Sequence, residues 1–385
     1  MKLLHVGDLH LGRSLGEFDL TEDQEYMLDR LLDIVKERSV DAVLIAGDVY
    51  DRSIPSEAAT RMLDRFLSEL AKEDVSVFMI SGNHDSDERL NYGSSLFAAN
   101  HIFISTKYKG GLCKQTFKTD GTEADIYLLP FVKASQVRHY LPEEKIETYD
   151  DAVRAVIKHA DIDRSRINVL IAHQFVTDKS RDPGLSGSES IATQSVGLVE
   201  KIDYDCFDDF DYVALGHIHS PQHVGRKEVR YSGSPLKYSL SEVNNEKSAV
   251  LVTLNSKGDT GIELVPIKPR RNMRHLKDKL KNILDKDRVT DTEDYIYVTL
   301  TDEEIISDAM GIIQQVYKNT VKIDYDNSHT REVEQIDISK IAENRSFDEL
   351  ISDFYRQVYG CEISEEEMDV MKDVAREAGV LHEAG

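Results

Sequence analysis

With 385 residues, 40% of them hydrophobic and 31% charged, the chain has room for two or three domains and a substantial core, which excludes a disulfide-stapled miniprotein and a disordered polymer. Forty-seven Lys and Arg against 71 Asp and Glu give a net charge of −24, which repels a polyanion unless bound divalent cations, a basic patch or a partner subunit inverts the charge locally. No stretch has the length of a membrane span, Met1–Asp8 carries no secretion-signal pattern, and Cys113, Cys206 and Cys361 form no Cys-x-x-Cys pair, so a cytoplasmic protein with ordinary thiols is expected.

Short β-branched runs at Lys2 to Val6, Asp41 to Ala46, Val75 to Ser81, Ile126 to Pro130, Ile167 to Ala172 and Tyr212 to Gly216 predict buried strands. Between the first two, Thr21 to Arg38 carries an apolar stripe at helical spacing, and Thr21 with Gln24 fits a capping box. A second helix follows the next strand, with Pro55 in its first turn and Ala59, Met62, Leu63, Phe66, Leu67 and Leu70 on one face. Strand, helix, strand, helix, strand implies βαβ units. From Arg230 the pattern becomes hairpin-like, with Val250 to Leu254 and Ile262 to Ile267 about the turn Asn255 to Gly258, so a mixed α/β domain is expected over residues 1–270.

Lys268 to Lys281 holds seven basic residues against one acid, which fits either a patch for a phosphate backbone or a solvated helix face. Tyr295 to Leu300, a helix over Glu303 to Tyr317 and a strand over Val321 to Tyr325 predict a small α+β domain over residues 271–340. Within the tail, 341–385, Phe347 to Ala378 reads as two amphipathic helices about Gly360 whose apolar faces need cover from this chain or from a partner.

Five clusters stand at predicted strand ends: Asp8-Leu9-His10, Gly47-Asp48, Gly82-Asn83-His84-Asp85, His173 and Gly216-His217-Ile218-His219. Any one of them could be a turn or a surface loop. In an α/β sheet, however, strand carboxyl ends gather along one edge, so all five together point to a common site. Carboxylates, an amide and imidazoles without thiolate suit manganese, iron or zinc. Seven ligands, Asp8, His10, Asp48, Asn83, His173, His217 and His219, exceed one tetrahedral ion and fit two ions bridged by a carboxylate, for which Asp48 is the natural choice. Such a pair serves hydrolytic phosphoester chemistry.

These motifs, with Gly47-Asp48-Val49-Tyr50-Asp51, resemble the calcineurin-like metallophosphoesterase superfamily across about 210 residues. More narrowly, Ile80 to Arg89, Gly216 to Gln222 and Tyr231 to Tyr238 are similar to the SbcD family of nuclease subunits from bacterial SbcC–SbcD DNA repair complexes.

The resemblance implies a metallophosphoesterase β-sandwich flanked by helices, then a small α+β capping domain that positions DNA and a C-terminal helical tail docking an SbcC-type coiled-coil ATPase. It implies two Mn2+, or Mg2+ or another divalent metal, with Asp8, His10, Asp48 and His219 on one ion and Asp48, Asn83, His173 and His217 on the other. His84 is then the catalytic histidine assisting departure of the 3′-oxygen, a role open to an imidazole near neutrality. Asp85 is expected to orient His84 or a neighbouring ligand. Asp51 is a further supporting candidate, and Arg270, Arg271 and Arg274 are candidate DNA contacts. The implied activity is 3′–5′ exonucleolytic on duplex ends and endonucleolytic on single strands and hairpins, in DNA repair, recombination and replication, by a homodimer within a heterotetramer. A phosphatase or small-molecule phosphodiesterase of the same superfamily is the alternative. Tyr231 to Tyr238 fits either a substrate-lining loop or a structural turn, and Asp182 to Gly197 is expected to form a flap over the site.

Overall fold

The computed structural model describes residues 1–119, 121–178, 182–185, 201–328, 347–359 and 363–377. Two six-stranded sheets carry the fold. The first has the spatial order Asp259–Pro266, Ser248–Ser256, Lys2–Val6, Ala42–Ala46, Ser76–Ile80, Ile102–Ser105. The second runs Gln222–Val224, Arg226–Tyr231, Tyr212–Gly216, Ile167–His173, Thr122–Leu129, Cys113–Thr119. The inner strands of each sheet are parallel, as the predicted βαβ units require, and the hairpin Ser248–Ser256/Asp259–Pro266 adds antiparallel pairing at one edge.

Every second residue explains why the strands read as unbroken apolar runs. In Ala42–Ala46, Val43 and Ile45 pack under the helices Thr21–Arg38 and Glu57–Lys72, while Ala42, Leu44 and Ala46 face the second sheet. In Ile167–His173, Leu170 and Ala172 join the core beneath the helices Ala134–Tyr140 and Tyr149–Lys158, while Val169 and Ile171 face the first sheet. Both faces of both sheets are thereby covered, giving a helix-flanked sandwich, the expected fold class.

Several local expectations give way to tertiary demands. The helix Thr21–Arg38 starts from Leu20 without a side-chain cap, because Gln24 turns inward: it accepts from the Gly12 amide at 2.8 Å and donates to the His10 carbonyl at 2.7 Å. Pro55 precedes the second helix rather than opening it, since the Ser56 hydroxyl caps Ala59 at 3.1 Å. Glu303 to Tyr317 is helical only over Ala309–Gln314, where Asp308 supplies the cap to Gly311. The basic segment is not a helix either: Met273–Asp278 is a strand, in a three-stranded sheet with Tyr295–Leu300 and Thr320–Tyr325.

The chain forms two compact units. One comprises Met1–Lys277, Lys281–Thr299 and Asp308–Ile323; the other comprises Asp278–Leu280, Leu300–Ser307 and Asp324–Gly385 and includes the helices Phe347–Tyr359 and Glu365–Glu377. Of the expected flap, residues 186–197 lie outside the described residues. No described helix is long and apolar enough to cross a membrane.

His5 is a polar residue in the inter-sheet layer that its motif-free surroundings in the sequence did not single out. It is wholly buried, with Nδ1 2.9 Å from the Tyr212 hydroxyl, and burial pushes its pKa down to about 3. An unfolded His takes its proton near 6.5, so between that pH and about 3 the unfolded state binds more protons and stability falls as pH falls. A His5→Gln variant is expected to lose up to ~1.4 kcal/mol per pH unit of that slope, read from urea unfolding at pH 5 and 6.

Candidate metal centre

The carboxyl ends of the two parallel sets meet. Gly216 pairs with His173 in the second sheet, and a Cβ on Gly216 would collide with the Ala46 carbonyl of the first. That carbonyl accepts a hydrogen bond from His173 Nδ1 at 2.8 Å. On Gly82, likewise, a Cβ would strike the Asp48 carboxylate, so glycine is what lets the Asn83 loop lie against the Asp48 loop.

All seven expected ligands come together at this junction. His10 Nε2 lies 3.1 Å from His219 Nε2, and Asp48 Oδ2 lies 3.7 Å from His10 Nε2 and 3.3 Å from His173 Nε2. Asn83 Oδ1 is 3.0 Å from His173 Nε2 and 3.1 Å from His217 Nδ1. Two buried groups could each hold an ion, Asp8–His10–His219 and Asp8–Asp48–His173, with Asp8 common to both. The donors fit divalent cations. With Nδ1 committed to Ala46, His173 Nε2 is the nitrogen turned toward the Asp48 and Asn83 oxygens, and Asp8 Oδ2 is buried with no hydrogen-bond partner, a carboxylate oxygen left for a cation.

The backbone is strained here. Asp8, His10, Asp48 and His217 have φ of 54°, 44°, 46° and 101°, in the left-handed region that costs side-chain-bearing residues ~1–3 kcal/mol each. Side-chain charges show the same tension. Burial raises the Asp8 carboxyl above its ordinary range although His173 and His219 oppose it. Burial would raise Asp48 too, but His173 and His10 hold it well below the usual carboxylate range. Burial would lower His173, yet the Asp48 and Asp8 carboxylates bring it up to about 9. Burial takes His10 well down and His217 to about 3, neutral forms suited to ligation.

Asp85 does not reach the His84 imidazole. Its carboxylate accepts from the amides of Val49 at 3.1 Å, Tyr50 at 2.9 Å and Gly82 at 2.9 Å, clamping the Asp48 and Asn83 loops together, while burial and the Asp48 charge push its pKa up to about 6. His84 is exposed, its amide bonded to Asp48 Oδ1 at 2.9 Å and its Nδ1 to the Asp51 carbonyl at 3.0 Å. Asp51 Oδ1 also takes Arg13 at 2.8 Å and stands 3.6 Å from His10 Nδ1.

Two supporting residues, Glu242 and Lys247, escape the sequence analysis, which takes Gln24 only as half of a capping box. Glu242 and Lys247 form a buried ion pair at 2.6 Å; Glu242 Oε1 lies 3.4 Å from His219 Nδ1, and Lys247 donates to the His219 carbonyl at 3.0 Å. The Glu242 carboxyl is held far below its usual range: burial opposes this, but His219 and Lys247 outweigh it. Gln24 ties the His10 loop to a helix. Each sits in an ordinary-looking helix or loop, and only spatial proximity marks it. Within Tyr231 to Tyr238, Ser232 and Ser234 are fully buried, and Tyr238 donates to the Leu9 carbonyl at 2.5 Å while its ring stands edge-on to His10 at 5.6 Å.

The calcineurin-like phosphoesterase family profile matches residues 1–221, more than half of the chain. The SbcD subunit of the SbcCD nuclease from Staphylococcus saprophyticus is 32% identical over 367 residues, 94% of each chain. The chain belongs to the SbcD family of calcineurin-like phosphoesterases. A second profile, the type 5 capsule protein repressor C-terminal domain, matches residues 269–359 of this phosphoesterase. Among solved structures, TT1561 of Thermus thermophilus has a TM-score of 0.41 at 9% identity, covering 69% of this chain and 99% of that one. A dimetal phosphatase from Danio rerio has a TM-score of 0.38 at 12% identity, covering 70% and 99%.

The arginines expected at DNA lie outside this cluster of ligands and are paired within the phosphoesterase itself. Arg270 meets Glu22 at 3.1 Å; Arg271 meets Glu22 at 2.7 Å and Asp23 at 3.0 Å; Arg274 meets Asp294 at 2.8 Å.

Because Asp8 is a carboxylate disfavoured by its surroundings, Asp8→Asn is expected to hold or raise the melting temperature of the metal-free chain while abolishing the stabilisation given by added Mn2+. Saturating metal should stabilise the wild type by about 3 kcal/mol at a hundredfold excess over Kd, read by thermal shift with and without Mn2+.

Proposed function

We propose that this chain is a metal-dependent DNA nuclease subunit working with an SbcC-type coiled-coil ATPase. The observation that carries the reading is the meeting of two buried ligand groups, Asp8–His10–His219 and Asp8–Asp48–His173, at one sheet junction, with Asp48 Oδ2 standing between them at 3.7 Å from His10 Nε2 and 3.3 Å from His173 Nε2. Asp8, His10, Asp48 and His219 would hold one cation and Asp48, Asn83, His173 and His217 the other, with Mn2+ preferred and Mg2+ or another divalent ion as substitute. Two such ions supply an activated water and neutralise the charge gathering on the phosphate oxygens. The chain's own part is to place the phosphodiester and to move a proton. A carbonyl only accepts, so His84 Nδ1 carries the hydrogen bonded to Asp51, and Nε2 is the nitrogen left to serve substrate. Protonated there, His84 donates to the departing 3′-oxygen.

Substrates are duplex ends, attacked 3′–5′, and single strands and hairpins, attacked internally, in DNA repair, recombination and replication. The relative named as an SbcCD nuclease subunit supports this choice over a phosphatase, whose metal ligands would be the same. Residues 271–340 serve as the capping domain. Of the three arginines only Arg270, half exposed and bridged to an exposed Glu22, can readily exchange its carboxylate for a DNA phosphate. The tail, residues 341–385, docks the ATPase; Val370 and Val374, 61% and 58% exposed on the helix Glu365–Glu377, offer apolar surface for it. Exposed Tyr92 and Leu96 offer a second apolar surface for a homodimer within a heterotetramer. The complex is cytoplasmic, and the ATPase offsets the charge of −24 that would otherwise repel DNA.

With Mn2+ and the ATPase, the chain is expected to degrade end-labelled duplex and hairpin DNA, and His84→Ala to slow this by ~10²-fold or more without loss of bound metal. Hydrolysis of a phosphomonoester with no DNA cleavage would establish the phosphatase reading instead.

A further inference from the structure

On the Asn83 side of the metal centre lies a pocket of about 350 Å3, lined by Lys107, Tyr108, Phe131, Gln136 and Tyr140 among others. Phe131 joins it to the centre: its ring stands edge-on to the His173 ring at 6.4 Å, and its amide donates to the carbonyl of Ser81, two residues before Asn83. Tyr108 and Tyr140 meet edge to face at 5.7 Å. Tyr108 is 4% exposed, and its hydroxyl is buried without a hydrogen-bond partner. Lys107 stands exposed at the rim.

We propose that this pocket receives the base of a nucleotide flanking the scissile phosphate, drawn out of its stack; the proposal rests on the nuclease reading above. Two features select a nucleobase. Aromatic side chains supply the stacking surface by which proteins hold bases without regard to sequence. A lysine at the mouth suits the phosphate that accompanies the base. The placement then has a mechanistic consequence. A base must leave the helix before cleavage, which is easiest at a frayed, mismatched or single-stranded position, so the pocket would couple cutting to strand opening.

The test uses the full chain with Mn2+ and the ATPase on oligonucleotides carrying either a normal nucleotide or a tetrahydrofuran abasic residue on one or other side of the cleavage position. The normal strand is expected to be cut on the order of tenfold faster than the abasic strand for one of the two sides. In Tyr140→Ala, which truncates a partly exposed side chain outside the core, that ratio should fall to about one. Binding gives an independent readout: 2-aminopurine at the same position should be quenched by the His84→Ala chain and unquenched by His84→Ala/Tyr140→Ala. Equal rates for normal and abasic strands on both sides, or a ratio that survives Tyr140→Ala, overturn the proposal. A chain that cleaves neither strand nor bis(p-nitrophenyl) phosphate overturns the nuclease reading itself, and the pocket assignment with it.

Discussion

The contact on which the rest of the molecule depends is the hydrogen bond from His173 Nδ1 to the Ala46 carbonyl, made across the two sheets where their parallel strands end. It requires Gly216 to lie directly against that carbonyl, which only a residue without Cβ allows. The same contact commits one imidazole nitrogen, leaving Nε2 to face the Asp48 and Asn83 oxygens. Sheet packing and ligand orientation are thus one constraint, and a shift of either sheet would move both.

The junction is built at the expense of local comfort. Left-handed backbone at Asp8, His10, Asp48 and His217 and a buried carboxylate raised in pKa are features that packing alone would remove. The surrounding shell opposes them. Asp85 binds three amides of the two ligand loops, Gln24 and Tyr238 hold the loop carrying His10, and the Glu242–Lys247 pair fixes His219 from behind. A buried ion pair contributes little to net stability, and its value here is orientation of an imidazole.

Charge is distributed on the same plan. The buried Asp8 and Asp48 call for positive charge at the centre, while the arginines of the basic segment are engaged by Glu22, Asp23 and Asp294 within the fold. A segment that reads as a polyanion patch in one dimension therefore acts, for Arg271 and Arg274, as an internal brace. Glu22 and Asp23 lie 249 and 248 positions from Arg271, so no short window of residues reveals that pairing.

Much was legible in the chain alone. Apolar runs at βαβ spacing specify the parallel strands because side chains on both faces of a covered sheet must be apolar, and the five strand-end clusters mark the site because parallel strands deliver their carboxyl ends to one edge. Residue types at Asp8, His10, Asp48, Asn83, His173, His217 and His219 declare their chemistry locally. What the tertiary structure decided are choices between partners. Gln24 prefers loop carbonyls to a capping box, Asp85 prefers backbone amides to His84, Arg271 pairs with acids of the first long helix, and Glu242 with Lys247 emerges as support for a ligand. A polar side chain offers the same atoms wherever it stands, and which of them it uses is set by the buried groups that packing brings within about 3 Å, information that exists only once the sheets have met.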